Sequence, residues 1–114
     1  MVEVPVGHRL IFLSGQVPLD SAGALRGSDF RGQAKQVFEN LQTGLDAAGA
    51  GFEDVVKLTF YVLDVANLPA LREVRDQYVN PAAPPASTLV QVSGLFRADV
   101  LLEVEAIAAV PEAR

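Results

Sequence analysis

Two glutamates that lie two positions apart near the end of the chain are the first candidates for chemistry. Glu103 and Glu105 fall in a stretch of alternating polar and apolar residues. On a β-strand both carboxylates would point to the same side, about 7 Å apart, where two charges repel by roughly 2 kcal/mol at an effective dielectric constant near 20. A carboxyl group in that setting can carry protons in a reaction. An exposed acidic edge, or ion pairing with arginine, would explain the same spacing.

Ser14 and Gly15 are the second candidates, because they end a predicted strand at a glycine. A glycine there lets backbone N–H groups face a carboxylate or an oxyanion, although an ordinary turn fits the same residues. His8 is the single histidine of the chain and follows Gly7 at a predicted loop-to-strand boundary. We expect it to be a surface residue and not the base of a Ser-His-Asp triad.

The composition excludes several kinds of site. The chain has no cysteine, which rules out disulfides, thiolate zinc sites, iron–sulfur clusters and cysteine nucleophiles. One histidine without cysteine argues against a transition-metal site, because such sites usually need three or four nitrogen or sulfur ligands. Any chemistry therefore has to use carboxylates, guanidinium groups, hydroxyl groups, the backbone and water.

Length and charge limit the partners. The 114 residues correspond to a single domain, and the formal net charge is −5. The nine lysines and arginines are scattered, so we expect no nucleic-acid partner. No apolar stretch approaches the ~20 residues that span a bilayer, and the N-terminus lacks the pattern of a signal peptide. We therefore expect no membrane association and a cytoplasmic location.

Hydrophobic periodicity predicts the elements that position these candidates. Apolar residues three or four apart indicate a helix from Phe30 to Ala48, capped by Ser28 or Asp29 and ended by Gly49. A second helix is predicted from about Asn67, followed by an extended Pro81–Pro85 linker. The predicted strands are Val2–Val6, Arg9–Ser14, Val55–Leu63, Thr88–Ser93 and Asp99–Ala109. The order ββαβαββ predicts an α+β fold, with one mixed sheet and both helices on one face.

The two faces of this sheet differ in composition. One predicted face is wholly apolar and would pack on the helices: Val56, Leu58, Phe60, Val62, Val90 and Val92. The other has no helix to cover it: Thr59, Tyr61, Leu63, Leu89, Gln91, Leu101, Glu103, Glu105 and Ile107. Its aliphatic residues favour self-association, with a pocket where its polar residues gather. A solvated antiparallel face is the alternative.

Several motifs, taken together and in order, resemble the RidA/YjgF family, also called L-PSP endoribonuclease-like proteins. The resemblance covers nearly the whole chain. The matching stretches are LIFLSGQVPLD at Leu10–Asp20, Gln33 through Asn40-Leu41, Ala47-Ala48-Gly49, Asp54–Lys57 with Asp64, PASTLVQVSGL at Pro85–Leu95, and EVEAIA at Glu103–Ala108.

The resemblance implies a chorismate-mutase-like fold and a homotrimer, in which the sheets form a central barrel with clefts between subunits. It implies a cofactor-free and metal-free hydrolysis of imines and enamines such as 2-aminoacrylate, giving keto acids and ammonia. An arginine of the family holds the substrate carboxylate, and a glutamate-associated water is implicated in the hydrolysis. Glu103 matches that glutamate, and we expect Ser14, Gly15, Ser87 and Leu89 to line the cleft.

The match is incomplete at the cleft. The arginine of the family's PARST motif is replaced by Ser87, and the Gly-Pro-Tyr-Ser segment that contributes a cleft tyrosine is absent. Arg72 stands where the second helix of the family commonly has an asparagine, and Arg9 and Arg97 are the candidates to replace the missing charge. Two hypotheses follow: an imine or enamine deaminase, or a trimer that binds a small metabolite without this catalysis. A ribonuclease ranks third, because an acidic surface without a basic patch repels RNA.

Overall fold

Four strands and two helices make up the regular structure of residues 1–113, the part of the chain that the computed structural model describes. In chain order they are β1 His8–Gln16, α1 Phe30–Ala47, β2 Val55–Val62, α2 Leu68–Arg75, β3 Ala86–Gln91 and β4 Leu102–Pro111. Short 3₁₀ turns at Phe52–Asp54 and Val65–Asn67 lead into β2 and α2. The predicted α+β class, with one mixed sheet and two helices, is confirmed.

Helix α1 begins and ends where its sequence signals predict. The Asp29 side chain accepts a hydrogen bond from the Gly32 N–H, which caps the first turn. At the other end Gly49 adopts a positive φ of 72°. The N–H groups of Gly49 and Ala50 then donate to the carbonyl groups of Asp46 and Leu45. This pairing closes the helix as a Schellman motif, which favours glycine at that position.

The strands form one sheet in the order β1-β4-β2-β3. Strand β4 pairs antiparallel with β1 and with β2, whereas β2 and β3 are parallel. Helix α2 therefore connects two adjacent parallel strands, which is the arrangement of a βαβ unit. β1 and β3 are the two edges of the sheet.

The core lies between the helices and one face of the sheet. Phe38 of α1 is completely buried and its ring stacks on that of Tyr78, with centroids 5.2 Å apart. Phe52 and Phe60 surround the same ring at 6.0 and 6.4 Å. Aliphatic residues from both helices and from β2 and β4 complete the core: Val37, Leu41, Leu45, Leu58, Val62, Leu71, Val74, Leu102 and Val104.

Two predicted segments are wrong. Val2–Val6 forms no strand; its residues are exposed and without regular structure, and Pro5 removes a backbone donor that a ladder would use. The Pro81–Pro85 segment is not fully extended, because Asn80 organises a turn in it. The Asn80 carbonyl group accepts from the Ala83 N–H, and its side chain accepts from the Ala82 N–H. The limits of two strands also differ from the prediction: β3 spans Ala86–Gln91 instead of Thr88–Ser93, and β4 spans Leu102–Pro111 instead of Asp99–Ala109.

The predicted orientation of β3 is also wrong. Parallel pairing sets Leu89 beside Phe60 and Val90 beside Tyr61. Leu89 therefore packs toward the core, whereas Val90 lies on the other face and is 41% exposed. The strand contains aliphatic residues in both registers, so its own pattern could not decide which of them faces the helices.

Candidate functional site

A bulge at the end of β1 brings Gly15 against Glu103. The pairing of β1 with β4 runs to Leu13 opposite Ala106 and resumes at Gln16 opposite Val104. Two residues of β1 therefore face one residue of β4, which is a β-bulge. A Cβ atom at Gly15 would lie 2.2 Å from Oε2 of Glu103. Only a glycine leaves room for the carboxylate in this position.

Helix α1 holds the segment that follows the bulge. The Asn40 side-chain amide donates to the carbonyl groups of Val17 and Leu19, at 3.0 and 2.9 Å. Within the bulge, the Gln16 side-chain amide donates to the carbonyl group of Ser14 at 3.0 Å. The two Asn40 bonds therefore attach the segment after the bulge to α1, the longest helix of the described residues, and the Gln16 bond closes the bulge locally.

The two glutamates are in different environments, although their side chains share a face. Glu103 lies opposite Tyr61, and Glu105 lies opposite Thr59. The Tyr61 hydroxyl group donates to Oε1 of Glu105 at 2.8 Å, and this bond is the main cause of a raised Tyr61 pKa, with burial and the charges of both glutamates adding to it. The Glu103 carboxylate accepts no hydrogen bond from residues 1–113, so it is free to hold a water or a ligand.

Ser14 borders a cavity of about 240 Å³ next to this pair. The cavity contains Glu105 and not Glu103, and its walls come from β1, β2 and β4: Phe12, Leu13, Ser14, Lys57, Thr59, Glu105, Ala106 and Ile107. The Lys57 ammonium group donates to the Thr88 hydroxyl group at 2.6 Å on the same face. Ser14, Gly15 and Glu103 thus gather at the β1–β4 side of the sheet.

Ser87 and Leu89 lie in a different part of the fold from Glu103. Both are on β3, beside Leu58 and Phe60 and therefore toward α2. They border a cavity of about 250 Å³ whose lining residues are Phe60, Leu68, Leu71, Arg72, Arg75, Ser87 and Leu89. Strand β2 and the thickness of the sheet separate this cavity from Glu103. Within one chain the five predicted site residues form two groups and not one cleft.

The two arginines considered as replacements for the missing charge are used elsewhere. Arg9 donates to the carbonyl group of Ala48, at the end of α1. Arg97 makes two hydrogen bonds to Asp99, at 3.0 and 2.7 Å, and this contact raises the pKa of Arg97 and lowers that of Asp99. Neither arginine borders the cavity at Ser87.

Sequence reasoning noted Arg72 without considering it as a source of the charge, and it missed Arg75; both border this cavity. Arg72 and Arg75 are three residues apart on α2, and Leu68 precedes Arg72 by four, so the three side chains share one side of the helix. The spacing predicts that the three side chains share one side of α2. It indicates a binding site only together with the position of β3, whose Ser87 and Leu89 form the other wall of the cavity.

The sheet face opposite the helices carries exposed hydrophobic side chains. We call the surface formed by Leu10, Phe12, Lys57, Thr59, Tyr61, Thr88, Val90, Glu103, Glu105 and Ile107 the bare face. On it Leu10 is 51% and Phe12 70% exposed.

Among residues 1–113 no group of three or more histidine, aspartate or glutamate side chains is placed to hold a metal ion. No helix in that range is long and apolar enough to cross a membrane.

Known proteins resemble this chain over most of its length. A family model described as Endoribonuclease L-PSP matches residues 2–110. A RutC family protein of Pyrococcus abyssi is 41% identical over 106 residues, covering 92% of this chain and 81% of that protein. TdcF of Escherichia coli K12, provisionally named a reactive intermediate deaminase, is 34% identical over 101 residues, covering 87% and 78%. RidA of an Antarctic Psychrobacter species superposes with a TM-score of 0.84 at 33% identity, covering 96% and 85%.

Proposed function

Because the chain belongs to the L-PSP endoribonuclease family, also called RidA/YjgF, we propose that it hydrolyses small imines and enamines to keto compounds and ammonia. The names of TdcF and of the Psychrobacter RidA support a deaminase of the same kind. Since such imines arise in amino-acid metabolism, the cytoplasm is the proposed location.

The observation that carries this proposal is the unpartnered Glu103 carboxylate beside Gly15. One of its oxygens lies 2.2 Å from the position that a Cβ of Gly15 would take, so the carboxylate packs against the backbone of the bulge. Glu105 is already bound to the Tyr61 hydroxyl group. The sheet therefore offers one carboxylate that is engaged and one that is available, and the available one is Glu103.

The proposed reaction needs only this carboxylate and water. Glu103 takes a proton from a water molecule whose oxygen forms a bond to the imine carbon, and the second bond between carbon and nitrogen breaks. Glu103 then gives the same proton to the nitrogen, which regenerates the carboxylate. The carbon–nitrogen bond of the resulting carbinolamine then breaks. Glu103 transfers the hydroxyl proton to the nitrogen, which leaves as ammonia, and a carbonyl group remains. An enamine first becomes the imine by gaining a proton on carbon and losing one from nitrogen.

The complete cleft requires more than one protomer, and a homotrimer is the proposed assembly. Ser14, Gly15 and Glu103 lie toward the β1 edge, and Ser87 and Leu89 lie on the β3 edge. Joining the β1 edge of one protomer to the β3 edge of the next would bring the two groups together. The same contact would cover the exposed Leu10, Phe12 and Val90 of the bare face, which supports the proposal.

A specialised trimer that binds a small metabolite is the second candidate function, and Ser87 favours it. A charge-assisted, bidentate contact between an arginine and a carboxylate contributes about 1.5–3 kcal/mol, equivalent to roughly ten- to a hundredfold in affinity. Ser87 offers one neutral hydroxyl group in that place. The two functions share the cleft and differ in whether turnover follows binding.

The experiment generates 2-aminoacrylate with a pyridoxal-phosphate-dependent dehydratase and follows its decay with and without the protein. We expect the wild type to accelerate the decay and Glu103→Ala to reduce the acceleration by about a hundredfold or more. Asp46→Ala, a carboxylate on the far side of the molecule in α1, is the matched control and should remain active.

Absence of acceleration by the wild type, with activity gained in Ser87→Arg, would contradict the deaminase and support the binding trimer. Cleavage of RNA that survives further purification and disappears in Glu103→Ala would favour a ribonuclease instead. The net charge of −5 opposes that outcome, because it repels the phosphate backbone.

A further inference from the structure

Two adjoining cavities meet at Ser87 between β3 and α2. The larger, of about 250 Å³, reaches from Ser87 along Leu89 to Arg72. The smaller, of about 210 Å³, extends from Ser87 to the proline-rich turn: Leu58, Arg75, Val79, Pro81, Pro84, Pro85 and Ser87. Ser87 and Arg75 border both. These volumes are at or below the small end of ligand sites, which suits a metabolite of a few heavy atoms.

Helix α2 contributes both apolar and basic side chains to the larger cavity. Leu71 and Val74 point into the core and are nearly fully buried. Arg72 and Arg75 follow them by one residue each, so the guanidinium groups stand at the rim while Leu71 forms part of the floor. The cavity thus has an apolar base, a hydroxyl group from Ser87 and two cations at its edge.

Both cations are available to a ligand. Arg72 makes no side-chain hydrogen bond or ion pair with residues 1–113. Arg75 uses only Nε, which donates to Asp76 at 2.9 Å, and its two terminal nitrogens bond to nothing in that range. The Arg75 side chain is 31% exposed, so it is partly shielded from water and its charge is felt more strongly than that of a fully solvated arginine.

The remaining arginines of the described residues make their side-chain contacts away from this cavity. Arg31 of α1 pairs with Glu73 of α2, and this contact raises the pKa of Arg31 and lowers that of Glu73. Arg26 pairs with Asp20. Arg9 and Arg97 are held by Ala48 and Asp99. Of the arginines in residues 1–113, Arg72 and Arg75 are the two that border the cavity at Ser87.

We propose that Arg72 and Arg75 bind the carboxylate of a small 2-oxo or 2-imino acid, so that α2 supplies the charge that position 87 lacks. This inference rests on the proposed function for the identity of the ligand. The two guanidinium groups donate to the carboxylate oxygens, and the Ser87 hydroxyl group donates a third bond. Leu68 and Leu89 contact a short alkyl group, which limits the ligand to a side chain of a few carbons.

The test measures binding without turnover, by titrating pyruvate into the intact protein in a calorimeter. Pyruvate is the keto acid that hydrolysis of 2-aminoacrylate would release. We expect Arg72→Ala and Arg75→Ala each to weaken binding by about tenfold or more, and the double variant by more than either. The uncharged amide of pyruvate should not bind measurably.

Arg97→Ala is the matched control, because it also removes one arginine from one ion pair with an adjacent aspartate. It should bind pyruvate as the wild type does. Ser87→Asp places a carboxylate between the two guanidinium groups and should abolish binding while both arginines remain. Ser87→Arg in the Arg72→Ala/Arg75→Ala background should restore binding, which also shows that the double variant is folded.

Pyruvate binding that is unchanged in the double variant, or equally weakened in Arg97→Ala, would overturn the inference. Failure of the wild type to bind pyruvate at millimolar concentration would overturn it as well. Binding that depends on both arginines without any deamination would refute only the proposed catalysis. Deamination that is insensitive to both arginines would refute only the role of α2.

Discussion

At the scale of single residues, chemically identical side chains acquire different roles through their neighbours. Glu103 and Glu105 have the same intrinsic acidity and face the same side of β4. Tyr61 binds only Glu105, and the bulge at Gly15 makes room only for Glu103. One hydrogen bond and one missing Cβ therefore decide which carboxylate is available to a water.

The Tyr61–Glu105 bond predicts an alkaline titration. Tyr61 and Tyr78 are the two tyrosines of a chain without tryptophan, so the absorbance at 295 nm in Tyr78→Phe reports Tyr61 alone. Its midpoint should lie above the ordinary value of about 10, because ionisation would break the bond to Glu105 and set a phenolate against that carboxylate. Glu105→Gln should lower the midpoint toward 10.

The raised Tyr61 pKa also determines how the free energy of unfolding changes with pH. A tyrosine whose pKa is raised by folding stabilises the protein fully below its unfolded pKa, and this contribution is lost as the pH rises through the folded pKa.

Glu39→Gln is the control for the Tyr61 titration, since Glu39 acts on Tyr78 and not on Tyr61. Equal Tyr61 midpoints with and without Glu105 would show that the hydrogen bond does not form in solution.

At the scale of elements, an irregularity in a strand positions the candidate catalytic group. The register shift between Leu13 and Gln16 turns the β1 backbone toward Glu103. Asn40 of α1 then fixes the chain beyond it. A regular strand would have placed a side chain where the carboxylate now lies, so the bulge is part of the site.

Gly15→Ala should therefore reduce activity without unfolding the protein. The new methyl group meets the flexible end of the Glu103 side chain, which can turn away at little cost in stability. A displaced carboxylate should lower the rate of imine hydrolysis by about a hundredfold, with a thermal midpoint close to that of the wild type. Activity assays and circular dichroism melts on the same preparations measure both.

Two other glycines provide the comparison for Gly15→Ala. Gly94 has open space where a Cβ would be, so Gly94→Ala should change neither activity nor stability. Gly27 has a φ of +93°, and its Cβ would lie 2.4 Å from the backbone nitrogen of Gln33. Gly27→Ala should cost more than about 1 kcal/mol of stability. Full activity in Gly15→Ala would show that the room that Gly15 leaves for the Glu103 carboxylate is not needed for activity.

At the scale of the whole molecule, the two groups of candidate residues lie at opposite edges of one sheet. The cleft proposed for them is complete only if the edges of neighbouring protomers meet. The bare face also exposes Phe12 at 70%, a large apolar area for a side chain facing water. Assembly would thus cover the apolar face and complete the site in one step.

If the proposed trimer forms through the bare face, Phe12→Arg should dissociate it. Light scattering after size-exclusion chromatography should give about three times the chain mass of 12.1 kDa for the wild type and one chain mass for the variant. Phe96→Arg is the matched control, because Phe96 is 61% exposed on the loop before β4, outside the bare face, and its replacement should leave the trimer intact. A monomeric wild type at micromolar concentration would contradict the proposed assembly.

The sequence alone determined the features whose signals are local. Helix α1 has a period of three to four residues, an aspartate cap and a terminating glycine, all within 22 positions of one another, so its limits could be predicted closely. The alternation of β4 likewise placed Glu103, Glu105 and Ile107 on one face, because a single strand allows only two orientations and only one buries its apolar residues.

Only the tertiary structure decided the features that depend on distant partners. β3 carries aliphatic residues in both registers, and its pairing with β2, not its own pattern, turned Leu89 inward and Val90 outward. The same pairing brought Ser87 beside Arg75, twelve positions earlier in the chain. The resemblance to the family indicated that an arginine is replaced by Ser87. Arg72 and Arg75 come to border that residue through strand order and helix packing, which no local spacing encodes.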